Sequence, residues 1–171
     1  MSTVIAILGS SRSHGNTRLV LDAVLADRSV ERIDLAEHRI APYDYGHGNA
    51  GDGFLPLAEA MVRADVIVFA TPVYWYSMSA QLKAFIDRMT DMTRYRKELG
   101  RAMAGKTVYL VASSTTPELP PGFEVPFQLT CDYFGMRWGG AFHGYFEADR
   151  VLSPEVARQA AGFGARVFAE G

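Results

Sequence analysis

Apolar positions along the chain fall into two alternating patterns. Short runs rich in β-branched and aliphatic residues occur at residues 4–8, 30–35, 66–70, 108–112 and 136–145, and each is followed by a stretch long enough for a helix. Such alternation predicts a parallel sheet with crossover helices. The runs at 4–8, 66–70 and 108–112 are almost continuously apolar, which is the pattern of central strands covered on both faces.

Helices are expected at 17–26, 55–63, 79–96, 127–134 and 154–170. In the third, Leu82, Phe85, Ile86 and Met89 fall at i, i+3, i+4 and i+7, while Lys83, Asp87 and Arg88 take the opposite, solvated face. In the last, Val156, Ala160, Phe163 and Val167 form a similar stripe, and Ser153 before Pro154 predicts an N-cap followed by proline at the first helical position. Five strands alternating with five helices predict an α/β three-layer sandwich: a five-stranded parallel sheet in order 2-1-3-4-5 with helices on both faces. No linker, repeat or compositional shift divides the chain, so residues 1–171 are expected to form a single domain. Ligands of such sheets bind outside the carboxyl ends of the strands, beside the switch between strands 1 and 3. The loops after strands 1, 3 and 4 therefore hold the function.

Composition narrows the classes. With 49% apolar and 21% charged residues the chain is not a disordered one. A net charge of -2 supplies no positive field for nucleic acid or anionic membrane, and the longest apolar runs are too short to cross a bilayer. Neither partner is expected. The single cysteine, Cys131, can neither close an intrachain disulfide nor supply the ligands of an iron-sulfur cluster, and it reads as an inert core residue. Any redox chemistry must come from something bound. The start Met1-Ser2-Thr3-Val4 enters an apolar run without a basic leader, so no export signal is expected and a cytoplasmic location is.

The first loop is Gly9-Ser10-Ser11-Arg12-Ser13-His14-Gly15-Asn16-Thr17. Small residues let several backbone amides turn inward, and the helix that follows adds a partial charge of about +0.5 at its N-terminus. Hydroxyls of Ser10, Ser11, Ser13 and Thr17, the Asn16 amide and the planar Arg12 fork complete a cradle for a phosphate. Neither a Walker loop nor a dinucleotide fingerprint fits, because no lysine follows either glycine and Ser11 and His14 stand where further glycines are required. Asp34, at the end of strand 2, then reads as a strand-end cap. The lesser alternative is an ordinary Gly/Ser turn with Asn16 or Thr17 capping the helix.

The second loop, Thr71-Pro72-Val73-Tyr74-Trp75-Tyr76-Ser77-Met78-Ser79, puts large apolar side chains after a proline at a solvent-facing mouth. A flat ring would satisfy them, with the amides of Val73 to Tyr76 donating to its polar edge; an aromatic cluster or a subunit interface would also account for them. The third loop, Ser113-Ser114-Thr115-Thr116-Pro117-Glu118, offers small hydroxyls at a neighbouring strand end. Together the three loops describe a mononucleotide with a broad apolar ring, which FMN fits better than AMP.

The first run, and the run Thr71-Pro72-Val73-Tyr74-Trp75-Tyr76-Ser77-Met78-Ser79-Ala80-Gln81-Leu82-Lys83-Ala84-Phe85-Ile86-Asp87-Arg88, closely resemble the flavodoxin-like NAD(P)H-dependent FMN reductases. The more specific part is Pro-x-Tyr followed by Leu-Lys-x-Phe-x-Asp on the next helix. The resemblance places the FMN phosphate on Ser10, Arg12, Asn16 and Thr17, with Ser11 beside them. It places the ring on Pro72, Val73, Tyr74 and Trp75, and a flavin edge on Ser113, Ser114 and Thr115. Iron-sulfur flavoproteins of similar pattern carry cysteines after strand 2. Here that region is Pro42-Tyr43-Asp44-Tyr45-Gly46-His47-Gly48-Asn49-Ala50-Gly51-Asp52-Gly53, read as a mobile flap with no metal site.

The resemblance implies an enzyme that takes hydride from NADPH or NADH through FMN and passes electrons to a small acceptor such as a quinone, an azo or nitro compound, or free flavin. Tyr74, Trp75, Tyr45 and Tyr95 are candidate walls of the open face; His143, near strand 5, reads as a packing or locally hydrogen-bonded residue. An electron carrier without a nicotinamide site is the alternative, disfavoured by the near-neutral charge. A homodimer or homotetramer is also expected from the resemblance.

Overall fold

In a computed structural model that describes residues 2–26 and 28–169, the strands β1 (Val4–Leu8), β2 (Glu31–Asp34), β3 (Val66–Pro72), β4 (Thr107–Ser114) and β5 (Arg137–Tyr145) form one sheet. All pairings are parallel and the order is β2-β1-β3-β4-β5, as the alternation predicted. Helices α1 (Asn16–Leu25) and α7 (Pro154–Ala169) cover one face; α2 (Phe54–Arg63), α3 (Ala80–Arg88) and α6 (Val125–Phe134) cover the other. The period-2 alternation of a strand divides β1 accordingly, Ile5 and Ile7 facing the α2 side and Val4, Ala6 and Leu8 the α1 side. Each large aliphatic side chain buried this way contributes about 1.5–3 kcal/mol.

Ser153 caps α7 as expected, its Oγ accepting from the Val156 amide at 3.2 Å; Glu170, the expected end of that helix, lies outside the described residues, as does Met1. β2 stops at Asp34, whose Oδ1 accepts from the Ala36 amide at 2.9 Å and opens a short 3-10 turn. Among the described residues no helix is long and apolar enough to cross a membrane.

The helix expected over 79–96 is corrected. It ends at Arg88, and the chain continues as two short helices, α4 (Asp91–Arg94) and α5 (Lys97–Arg101). Arg88 is not on the solvated face: it is 1% exposed. Its Nε donates to Asp91 Oδ2 at 2.8 Å, and the Asp91 carbonyl accepts from both the Tyr95 and Arg96 amides. The chain therefore turns to bring Asp91 under Arg88 instead of continuing the helix.

β5 joins β4 through a bulge beside Tyr109. A Cβ on Gly139 would stand 2.4 Å from the Tyr109 ring, and Gly140 has φ +118°, so glycine is required at both. Beyond the bulge, His143 lies opposite Ala112, two residues before the end of β4.

Candidate functional site

The loops after β1, β3 and β4 meet in a cleft of about 400 Å³ at the carboxyl ends of the strands. That volume is in the range of small-ligand sites. Ser79 holds the first two loops together. Buried at the N-cap of α3, it donates from Oγ to the Gly9 carbonyl at 2.6 Å and accepts the Leu82 amide at 3.1 Å, while its own amide donates to Thr71 Oγ1 at 3.0 Å. Gly9 permits the approach, since a Cβ there would lie 2.5 Å from Leu82 Cβ. The third loop is tied in by Thr17 Oγ1 and Ser113 Oγ, 2.8 Å apart and buried.

At the phosphate end, α1 begins from Gly15 with no side-chain cap. The helix N-terminus therefore keeps amide donors for an incoming anion. Ser10, Arg12, Asn16 and Thr17 all line the cleft there, and Arg12 is the only charged residue among the described lining. Asn16 Oδ1 accepts the Arg150 amide at 2.8 Å, which leaves its NH2 group as the free donor. Uncapped amides, hydroxyls and a guanidinium are the donor set a phosphate needs, so the residues present fit the anionic end of FMN.

At the other end, Pro72, Val73, Tyr74, Trp75 and Tyr76 form a wall. Tyr74 and Ser77 exchange backbone hydrogen bonds at 2.9 and 3.0 Å, closing a two-residue turn in which Trp75 (φ 48°) and Tyr76 (φ 65°) are both left-handed. Such turns ordinarily take Asn and Gly. Here two aromatics occupy them, 91% and 76% exposed. The expectation that amides of Val73 to Tyr76 all face a ring is corrected: the Val73 amide donates to the Ser113 carbonyl and that of Tyr74 to Ser77, leaving those of Trp75 and Tyr76. Ser113, Ser114 and Thr115 line the opposite edge.

Ser11 does not line the cleft; its hydroxyl stands outside, 3.3 Å from the Tyr74 hydroxyl, where it ties the first loop to the second. Thr116 and Pro120 join the lining although sequence reasoning did not single them out. Tyr45 and Tyr95 are not walls of the cleft: they pack around the loop after β2, with Tyr45 against Tyr43 and Tyr95 stacked on His47. That loop is tied down more firmly than a mobile flap. Arg88 Nη1 donates to Asp52 Oδ2 at 2.6 Å and to the Ala41 carbonyl, and Nη2 donates to the Asn49 carbonyl. His47 Nδ1 lies 2.8 Å from Asp91 Oδ1. Burial raises the Asp52 carboxyl, but the Arg88 hydrogen bond, with the Phe54 and Ala41 amides and the Arg88 charge, outweighs it and holds Asp52 below the usual carboxylate range.

Two other titratable groups are placed by the fold. Cys131 is buried, and burial, with a smaller effect of Asp132, pushes its thiol up to about 12. His143 is half-buried on β5, its pKa pushed down by desolvation, with Nε2 2.8 Å from Ser114 Oγ.

Comparison with known proteins adds the following. A family model described as NADPH-dependent FMN reductase matches residues 2–136. YwqN of Bacillus subtilis (strain 168), whose name describes an NAD(P)H-dependent FMN-containing oxidoreductase, is 31% identical over 117 residues, 64% of this chain and 65% of that protein. An iron-sulfur flavoprotein of Archaeoglobus fulgidus is 33% identical over 132 residues, 70% of this chain and 59% of that protein. The chain thus spans under two thirds of either relative's length. A solved structure of a Trp repressor binding protein from Bacillus subtilis superposes with a TM-score of 0.75 at 23% identity, covering 99% of both chains, a likeness that bears on the fold.

Proposed function

Because the chain belongs to the NADPH-dependent FMN reductase family, we propose that it is an FMN-dependent oxidoreductase that passes electrons from NADPH or NADH to a small acceptor. The observation that carries this reading is the meeting of three loops in one cleft, with an uncapped helix N-terminus at one end and an aromatic turn at the other. In this reading Ser10, Arg12, Asn16 and Thr17 hold the phosphate. Pro72, Val73, Tyr74 and Trp75 flank the ring, and Ser113, Ser114 and Thr115 meet its edge. When bound, FMN supplies the two-electron chemistry, accepting a hydride equivalent from nicotinamide and releasing electrons to the acceptor.

The protein's own part is to fix the ring, exclude competing ligands from one side and leave the other open. The Trp75–Tyr76 turn stands proud of the surface, so donor and acceptor reach the same exposed face by turns. Initial-rate lines at several fixed acceptor concentrations should then run parallel; intersecting lines would mean a ternary complex.

The acceptors the reading covers are quinones, azo and nitro compounds and free flavins. The test is nucleotide oxidation by purified protein with and without added FMN, across that panel. Oxidation that requires both FMN and an acceptor supports the reading. No oxidation of NADH or NADPH under any combination sinks it, and leaves an electron carrier if flavin still binds.

A further inference from the structure

We propose that Ser114 and His143 form a proton-delivery relay whose cleft end is the Ser114 hydroxyl and whose solvent end is the His143 ring. The proposal rests on the reductase reading above and names the groups that complete its proton balance.

One arrangement of hydrogens satisfies every contact at Ser114 at once. A hydroxyl donates one hydrogen and accepts two. Ser114 Oγ donates to the Thr116 carbonyl at 2.9 Å and accepts the Thr116 amide at 3.2 Å. Thr116 Oγ1, 3.2 Å away, directs its own hydrogen to the Glu118 carbonyl, so it offers Ser114 none. In that arrangement the Ser114 hydrogen goes to the Thr116 carbonyl and His143 Nε2 donates across the 2.8 Å contact; the reverse, Ser114 donating to Nε2, would leave the carbonyl contact without a hydrogen. The relay uses this Nε2–H tautomer, with Nδ1 as the basic nitrogen. Nδ1 has no protein partner among the described residues and is not sealed from solvent.

Among the described residues His143 enters no ion pair, and the side-chain partner of its ring is Ser114. His143 is pushed down by burial alone, without an effect from Asp132 on α6, Arg158 or Arg166 on α7, or Glu118 and Glu124 in the loop after β4. An imidazole hydrogen-bonded to the hydroxyl of a residue that lines the cleft is equipped to move a proton rather than to hold an anion.

Reduction of a quinone-like acceptor by two electrons takes up two protons, and the nicotinamide supplies both electrons but only one proton, as hydride. The second must come from solvent. In the relay, the Ser114 O–H bond breaks as a bond forms from that hydrogen to the acceptor's oxygen or nitrogen. The His143 Nε2–H bond breaks as Ser114 Oγ regains a hydrogen, and Nδ1 takes a proton from a solvent acid, hydronium or buffer, whose conjugate base stays in solution. The ring returns to its first tautomer by exchange with solvent. The nicotinamide is oxidised, the acceptor reduced, and charge balances. The rotation required is that of one hydroxyl, away from the Thr116 carbonyl and into the cleft.

The test uses the FMN-loaded protein with a soluble quinone. Glutamine at 143 preserves an N–H toward Ser114 but cannot pass a proton through, so His143→Gln separates positioning from delivery. The expected result is FMN affinity and quinone KM within about twofold of wild type, kcat lowered roughly tenfold or more, and loss of a pH limb that in wild type coincides with the His143 titration followed by long-range proton-nitrogen NMR. The same spectra should report the Nε2–H tautomer in the flavin-free protein and a His143 shift on FMN addition. A kcat and pH profile unchanged in His143→Gln overturns the relay while leaving the reductase reading intact. Should the variant fold poorly, wild type decides: an Nδ1–H tautomer, or a limb displaced from the His143 titration, overturns it. No turnover in wild type removes the reductase reading and the relay with it.

Discussion

Arg12 stands 3.5 Å from Asp149, both side chains more than half exposed, and it is the only charge in the described lining of the cleft. Losing a charged donor to a phosphate costs about 1.5–3 kcal/mol, so Arg12→Ala should weaken FMN binding roughly ten- to a hundredfold in a fluorescence titration, with the midpoint of urea unfolding of the flavin-free protein unchanged. Unfolding of the apoprotein instead would make Arg12 structural. An exposed ion pair is worth about 0–1 kcal/mol, so Asp149→Asn, which frees Arg12, should tighten binding at most a few-fold. At Cys131 the thiol raised to about 12 by burial should not react with an aromatic disulfide reagent until the protein is unfolded. Arg12 and the hydroxyls around it could be read in the sequence because a Gly/Ser loop before a helix is a local signal. The partners of Asn16 and Thr17 could not, because they come from residues 134 and 96 positions away. Ser11 and Thr116 differ from each other for the same reason: which loop residue turns into a cleft depends on the neighbouring loop.

Helix α3 shows what periodicity reaches and where it stops. The apolar stripe Leu82, Phe85 and Met89 is buried as its spacing predicts. Arg88, one position before Met89, is buried as well, because Asp52 and Asp91 and two backbone carbonyls of the loop after β2 surround its guanidinium. Phe54 lies beneath the guanidinium at 5.0 Å. Periodicity assigns an arginine on that flank to water, since Asp52, one of the two carboxylates that draw it inward, lies 36 residues away and Asp91 meets it only because the helix stops. Removing one partner of a buried pair typically costs about 3–5 kcal/mol; Arg88→Ala should show a loss of that size in urea unfolding and a loop after β2 that becomes sensitive to protease. Unchanged stability would mean that water replaces the guanidinium without cost. The pair also fixes an acid dependence. Asp52 is held below its ordinary value in the folded protein, so the unfolded state binds the proton more readily there. Its contribution to stability is present above about pH 3.9, the ordinary Asp value, and lost as pH falls through the lowered folded value. Asp52→Asn should flatten that part of the stability profile, whereas a profile unchanged by the substitution would assign the acid loss elsewhere.

At the scale of the molecule, the alternating runs were enough to predict the strand order, because a parallel sheet leaves few ways to connect five strands with crossover helices. That order puts the loops after β1, β3 and β4 side by side, which is why three separate signals in the sequence become one cleft. The bulge beside Tyr109 had no such signal beyond paired glycines, yet it sets the register that brings His143 to Ser114. In the proposed function this cleft holds FMN in a form that reduced nicotinamide can reach. Anaerobic addition of NADPH, and separately NADH, to the FMN-loaded protein tests it most directly, with the visible absorption of the bound flavin followed in a stopped-flow cell. Bleaching is expected with at least one nucleotide at a rate that saturates with its concentration, and colour should recover when a quinone is then added. Flavin that stays oxidised with both nucleotides, while remaining bound to the protein, would mean that the cleft binds FMN without a nicotinamide reaching it.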